Sequence, residues 1–127
     1  MQPLALLSYE NLLTGNQLVN KLIELGYRTA AVPDLDRLAE QAAKEKPLLC
    51  LVEVASQAKK VADAVRRLRA DPRTSHVPVL AYGKLGPAQA DREAAEAVRA
   101  AGAHLLAAET GILAQLPQLL EQVLHVE

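Results

Sequence analysis

Short apolar runs alternate with longer segments of helical periodicity along this 127-residue chain. The central run, residues 48–52, follows Pro47, is apolar at every position and leads into Glu53. A short run that is apolar on both faces is typical of a strand covered by helices on both sides. We predict five strands, the second at a sheet edge because it is the least hydrophobic, at residues 4–7, 27–32, 48–52, 77–82 and 103–108.

The segments between these runs carry apolar residues at the spacing of an α-helix. Val61, Val65 and Leu68, for example, stand at i, i+4 and i+7, which puts them on one helix face. Gly26 is positioned to end the first helix. The last segment contains Pro117, which either lies in the first turn of a helix that begins just before it or kinks a longer helix.

Strand and helix alternate five times, and this order predicts an α/β fold. Parallel strands joined by right-handed helical crossovers form one sheet, with helices on both of its faces. A chain of 127 residues is the size of one ordinary domain. We therefore predict a single domain over residues 1–127.

Composition narrows the function classes. The net charge is −1 and the only cysteine, Cys50, lies inside the central apolar run. With so little net charge, we expect neither a nucleic-acid partner nor a membrane partner. We interpret Cys50 as a small buried hydrophobic residue in a cytoplasmic protein. The three histidines are far apart and no glycine-rich phosphate loop is present, so we predict no metal site, no cofactor and no enzymatic activity.

Several segments resemble the receiver domain of bacterial two-component response regulators. The strongest is RLRADPRTSHVPVL at residues 67–80, which resembles that family's link from the third helix to the fourth strand. Residues 25–27 (LGY) and 100–103 (AAGA) resemble the entries to its second and fifth strands, and residues 47–54 resemble its strand that ends in the phosphorylated aspartate. The resemblance covers nearly the whole chain. It implies a flavodoxin-like sheet of strand order 2-1-3-4-5, with the strand at residues 47–55 in the middle.

The resemblance puts the family's working positions on residues with different chemistry. Glu53 stands at the phospho-acceptor aspartate, Gly83 at the threonine or serine of the fourth strand, and Glu109 at the lysine of the fifth. The acidic pair after the first strand corresponds to Ser8 and Tyr9, or to Tyr9 and Glu10 if the register shifts by one. The remaining two positions, a proline and a switch aromatic, are Thr110 and Leu106.

These differences predict a degenerate pocket. Mg²⁺ needs several oxygen ligands and phosphoryl transfer needs positive charge near the transferring oxygens, whereas Glu109 brings negative charge. We expect Glu53 to be a partly solvated carboxylate that Lys84 can pair with, and Tyr9 and Tyr82 to fill the space of a metal and phosphate. Glu53 could also imitate a phosphorylated acceptor. We disfavour that hypothesis, because the hydroxyl and the aromatic that respond to phosphorylation are both missing.

The alanine-rich helix predicted at residues 88–101 suggests a working surface, since small side chains let another helix approach closely. In receivers, the face formed by the fourth helix, fifth strand and fifth helix commonly binds effectors or a second copy. The candidate contact residues here are Ala94, Ala97, Val98 and Leu106.

We therefore expect a phosphorylation-independent pseudo-receiver that acts through a protein partner, or as a homodimer, in bacterial signal transduction. With no output domain in this sequence, its effect must pass through that partner. Two alternatives stay open: an unorthodox phosphorelay receiver, and a flavodoxin-like protein that binds a small ligand in the same crevice.

Overall fold

Five strands and five helices alternate along residues 2–124, the part of the chain that the computed structural model describes. Each strand is followed by a helix, as the alternation of apolar runs predicts. A short 3₁₀ turn at Leu35–Arg37 precedes the second helix. The elements are β1 (Leu4–Ser8), α1 (Leu12–Glu24), β2 (Arg28–Ala31), α2 (Leu38–Glu45), β3 (Leu49–Val54), α3 (Ala58–Ala70), β4 (Val79–Gly83), α4 (Gln89–Ala101), β5 (Leu105–Ala108) and α5 (Ile112–Leu124).

The strands form one parallel sheet in the order β2-β1-β3-β4-β5. This confirms the flavodoxin-like topology and the central position of β3. Every residue of β3 is buried, because helices cover the sheet on both sides. The prediction of an edge position for the second strand is also confirmed.

Side chains alternate between two apolar layers. Cys50, Val52 and Val54 of β3 face a layer built with α2, α3 and α4, whereas Leu49 and Leu51 face a layer built with α1 and α5. The side-chain period of two in a strand produces this division. Burial raises the pKa of the Cys50 thiol to about 12, so this cysteine is the inert buried hydrophobe that its sequence context predicts.

The end of α1 and the start of α5 test two local predictions, one for Gly26 and one for Pro117. Gly26 follows the last turn of α1 with a φ of 95°, and its N–H donates to the carbonyl of Ile23 at 3.0 Å, so it ends the helix as predicted. A fifth helix starting just before Pro117 is wrong, because α5 begins at Ile112 and contains the proline. Pro117 therefore lies in the second turn, where it cannot donate to the carbonyl of Leu113.

None of the helices between residues 2 and 124 combines the length and the hydropathy that a bilayer crossing requires.

Candidate functional site

The carboxyl ends of β1, β3, β4 and β5 meet at one edge of the sheet. Ladder pairing puts Glu53 beside Tyr82 and Gly83 beside Ala108, while Ser8, at the end of β1, pairs with Val52 and is buried. Ligand sites of open α/β folds gather at this edge. We call the cleft formed by Tyr9, Glu10, Glu53, Gly83 and Glu109 the carboxyl-edge crevice.

Glu53 is buried and bonded to the backbone. Its side chain is 7% exposed, and Oε1 accepts the N–H groups of Glu10 at 2.6 Å and Asn11 at 3.0 Å. These donors precede α1, whose N-terminal dipole favours a negative charge. The expectation of a partly solvated carboxylate is wrong, because two backbone amides satisfy the charge inside the fold.

Lys84 does not pair with Glu53. Its side chain is exposed to solvent, and among residues 2–124 no ion pair joins it to Glu53. The predicted pairing is therefore wrong.

Glu10 connects two of the loops at this edge. Its carboxylate accepts the Ser56 N–H at 3.1 Å and the Ser56 hydroxyl at 2.7 Å. The loop after β1 is thus tied to the loop after β3 by the side chain of Glu10, and to β3 itself by the side chain of Glu53. Both carboxylates are engaged by donors of the chain.

Glu109 takes a third set of donors. Its Oε1 accepts the Thr14 hydroxyl at 3.3 Å and the Asn11 side-chain amide at 3.5 Å, both from the start of α1. Its own N–H donates to the Gly83 carbonyl at 2.7 Å. A carboxylate bound to α1 therefore stands where the family has its lysine.

Gly83 is fixed by the close approach of β3. A Cβ atom at this position would lie 2.5 Å from the Val54 carbonyl oxygen and 3.2 Å from Val54 Cβ. Real Cβ atoms do not approach backbone oxygen so closely, so any larger residue requires the two strands to separate. The strand geometry thus excludes the hydroxyl side chain that the family carries here.

The two tyrosines of the rim have different positions. Tyr82 is 1% exposed within the α1–α5 layer, and its hydroxyl has no partner among residues 2–124. Burial, and then the charges of Glu53 and Glu109 and the Tyr9 hydroxyl, raise the pKa of Tyr82 above its usual range. The Tyr9 ring lies over α1, where a Cβ on Gly15 would be 2.1 Å from it. Sequence reasoning missed Gly15, although a glycine inside a helix is a signal of close packing.

The residues of this crevice do not fit a magnesium site. Within residues 2–124 no three His, Cys, Asp or Glu side chains are grouped to hold a metal ion. The oxygens of Glu10 and one oxygen of Glu53 already accept N–H or O–H donors, whereas Mg²⁺ needs near-octahedral oxygen coordination. Metal binding would compete with these hydrogen bonds.

Two alanines of α4, Ala94 and Ala97, pack toward the interior rather than facing a partner. Val98 is fully buried, and Ala94 and Ala97 are partly buried against the core layer formed with α3. Val98 therefore cannot serve as a contact residue. The close helix approach that small side chains allow is used within this chain, because α4 lies along α3 and touches β5 only lightly.

Because α4 packs mainly against α3, a groove is left between α4 and β5. The groove has a volume of about 330 Å³. Leu106 of the predicted face lines it, together with Ala95 and Leu85, and its rim carries Asp91, Arg92, Glu96 and Arg99. We call it the α4–β5 groove.

No protein-family model and no curated protein sequence matches this chain. Solved structures do match. A protein described as a response regulator from Chloroflexus aurantiacus is 20% identical, with a TM-score of 0.84 and coverage of 99% of this chain and 100% of the other. The receiver domain of sensor histidine kinase PA1611 from Pseudomonas aeruginosa, which has magnesium coordinated in its active-site cleft, is 23% identical, with a TM-score of 0.83 and the same coverage.

A chemotaxis response regulator of Vibrio cholerae is 15% identical, with a TM-score of 0.79 and coverage of 97% of this chain and 99% of the other. Likeness over nearly all of each chain gives this protein the fold of receiver domains. The resemblance recognised in the sequence is thereby confirmed at the level of the fold.

Proposed function

We propose that this receiver-fold chain is a signalling module that works without phosphorylation and acts by binding a protein partner. Proteins that share its fold include response regulators and the receiver domain of a sensor histidine kinase. We assign it to the same kind of bacterial signal transduction, as a non-enzymatic pseudo-receiver in the cytoplasm. The buried, unpaired Cys50 is in keeping with a reducing compartment.

One observation carries the proposal: the carboxylate at the acceptor position is buried, and one of its oxygens is bound by the chain itself. Glu53 Oε1 accepts two backbone N–H groups and the side chain is 7% exposed. A nucleophile that attacks a phosphodonor needs free, accessible lone pairs and a nearby cation. Glu53 is hydrogen-bonded to the start of α1 and is therefore a structural group in this account.

The remaining positions support the same conclusion. Glu109 adds negative charge at the place where positive charge would stabilise a transferring phosphoryl group, and Gly83 has no room for a hydroxyl side chain. The hydrogen bonds of Glu10, Glu53 and Glu109 join the ends of β1, β3 and β5. In this proposal, hydrogen bonds within the chain connect the strand ends at this edge, in place of a bound metal and phosphate.

The α4–β5 groove is the surface that we assign to the partner. Leu106 and Ala95 give it an apolar floor, Leu85 is 42% exposed beside it, and both signs of charge stand on its rim. An apolar centre with a charged rim is the usual composition of a protein interface. The Leu106 side chain, in place of a large aromatic, leaves the floor of the groove open.

The loss of phosphorylation is tested by incubating the chain with a small phosphodonor and Mg²⁺ and measuring its intact mass. We expect no species that carries an added phosphoryl group. A phosphoryl adduct on Glu53 would contradict the proposal and favour the phosphorelay alternative.

The partner surface is tested with Ala95→Glu, which puts a charged side chain into the α4–β5 groove. Ala90→Glu is the matched control, because Ala90 lies on the same helix, is exposed and does not line the groove. We expect Ala95→Glu to weaken self-association in sedimentation, or capture of a defined signalling partner, by at least tenfold. Equal behaviour of the two variants, both folded, would contradict the assignment of this groove.

A further inference from the structure

A second pocket lies at the opposite edge of the sheet, where β1, β3 and β4 begin. It has a volume of about 520 Å³, within the range of roughly 300–1,000 Å³ that is usual for small-ligand sites. We call it the amino-edge pocket. It is remote from the carboxyl-edge crevice and shares no lining residue with the α4–β5 groove.

Three prolines leave the walls of the amino-edge pocket short of backbone N–H donors. Pro3, Pro47 and Pro78 line it, one ahead of each of the three strands, and proline has no N–H to offer. Leu48, between Pro47 and the buried Leu49, is 42% exposed. The pocket therefore has an apolar base that a ligand with a hydrocarbon body can cover.

The ionisable side chains that line the pocket are all basic residues. Arg28, Lys46 and His76 line it, and no carboxylate side chain of residues 2–124 does so. Arg28 Nε donates to the Gln2 carbonyl at 3.2 Å, which fixes the guanidinium at the rim. Neither Arg28 nor Lys46 joins an ion pair within residues 2–124.

Lys46 has a backbone conformation that its side chain makes unfavourable. Its φ is 53° and its ψ is 60°, the left-handed region, and its N–H donates to the Ala42 carbonyl at 2.9 Å. Glycine is the usual residue at such a helix end. A lysine here is strained, because its Cβ disfavours this region, and it adds a positive charge beside the apolar base.

We propose that the amino-edge pocket binds a small organic anion, a carboxylate or phosphate carried on an apolar body. Arg28 and Lys46 contact the anionic group, and Leu48 with the surrounding prolines contacts the body. This inference goes beyond the proposed function and does not depend on it.

The test uses anilinonaphthalene sulfonate, an anionic probe with an aromatic body whose fluorescence rises on binding. We expect one saturable site in the full chain, and at least tenfold weaker binding to the double variant Arg28→Gln, Lys46→Gln. The matched control is Lys59→Gln, Arg67→Gln, which removes two exposed charges elsewhere and should bind within twofold of the unmodified chain. Melting temperatures of all variants verify that the probe does not report unfolding.

Competition identifies the anion. Hexyl phosphate and hexanoate should displace the probe, and their relative potency tells which group is preferred, whereas hexanol should not displace it. Amide shifts in an NMR titration should centre on Arg28 and Leu48 and leave Leu106 unchanged. Equal displacement by hexanol, unaltered binding to the double variant, or shifts centred on Leu106 would each overturn the proposal.

Discussion

Charged side chains at the two edges of the sheet have opposite surroundings. At the carboxyl edge, the carboxylates of Glu10, Glu53 and Glu109 all accept hydrogen bonds from the chain itself. At the amino edge, Arg28 and Lys46 stand beside an apolar base with no carboxylate side chain of residues 2–124 in the lining. A charge engaged within the fold contributes to stability, whereas a charge left unengaged beside an apolar surface is available to a ligand. The expected reactivity of the two edges is therefore the reverse of the usual one for this fold.

Replacing Glu53 should have the largest effect. Glu53→Ala leaves the N–H groups of Glu10 and Asn11 without their acceptor, and we expect a loss of about 3 kcal/mol in the free energy of unfolding. Glu53→Gln keeps an acceptor oxygen and should cost about half as much. Urea denaturation measures both, with the exposed Glu121→Ala as a control expected to be neutral. A neutral Glu53→Ala would mean that this edge does not depend on its buried acid.

Introducing the family's hydroxyl at Gly83 should have the second-largest effect on the free energy of unfolding. Gly83→Thr puts a Cβ against the Val54 carbonyl, and we expect a loss of about 2 kcal/mol from the forced separation of the strands. Gly86→Ala is the control, because its Cβ would meet only the flexible Asp91 side chain. If Gly83→Thr is as stable as the unmodified chain, then β3 and β4 can separate at a lower cost than their packing indicates.

At the amino edge, removing the charge of Lys46 should raise the free energy of unfolding rather than lower it. Lys46→Gly relieves the left-handed backbone strain, and we expect the free energy of unfolding to rise by about 0.5–1 kcal/mol. Lys44→Gly, in the last turn of α2, should instead be destabilising, because glycine there only weakens the helix. Destabilisation by Lys46→Gly would show that the lysine has a structural role and would remove the contrast between the two edges.

The smallest effect concerns pH and His104, which also lies near the amino edge. Its Nδ1 accepts the Val79 N–H at 3.0 Å and Arg69 Nη1 lies 2.9 Å from Nε2. Burial, and then the Arg69 charge, lower the pKa of His104 below its ordinary value of 6.5. The unfolded chain then binds a proton more readily than the folded chain. Stability from this group is therefore complete above pH 6.5 and decreases as the pH falls below it.

The measurement compares unfolding free energies at neutral and mildly acidic pH. His104→Gln should lower stability at neutral pH, because the Val79 N–H loses a well-placed acceptor, and should show a smaller decrease on acidification than the unmodified chain. His76→Gln is the matched removal of an exposed histidine at the same edge. An unchanged pH dependence in His104→Gln would contradict the assigned role.

The sequence predicted the fold because its signals are local and repeated. Apolar runs, helical spacing and Gly26 located the elements, and their strict alternation left one parallel sheet as the solution. The sequence also predicted Glu53 at the carboxyl edge, since it directly follows the apolar core of the central strand. It did not predict the partners of Glu53, because they are backbone amides, and every residue except proline carries one.

Two errors have physical explanations in particular residues. The alanines of α4 were predicted to face a partner, but Ala94 and Ala97 pack inward. In a helix whose apolar side chains are nearly all alanine, the buried stripe is hard to tell from the exposed one. One of the two predictions for Pro117 placed it near a helix start, where proline is favoured, and the other placed it inside a longer helix. The helix continues across it because Ile112, Leu116 and Leu120 are buried in one layer, and that burial offsets the lost hydrogen bond.

The closeness of Val54 to Gly83 also bears on evolutionary change. A chain with this strand geometry does not accept a hydroxyl side chain at that position by one substitution without losing stability, because β3 must first move away. Such a change therefore requires a second, compensating substitution in β3. The contact between one carbonyl and one missing side chain thus limits which single substitutions are neutral at this edge.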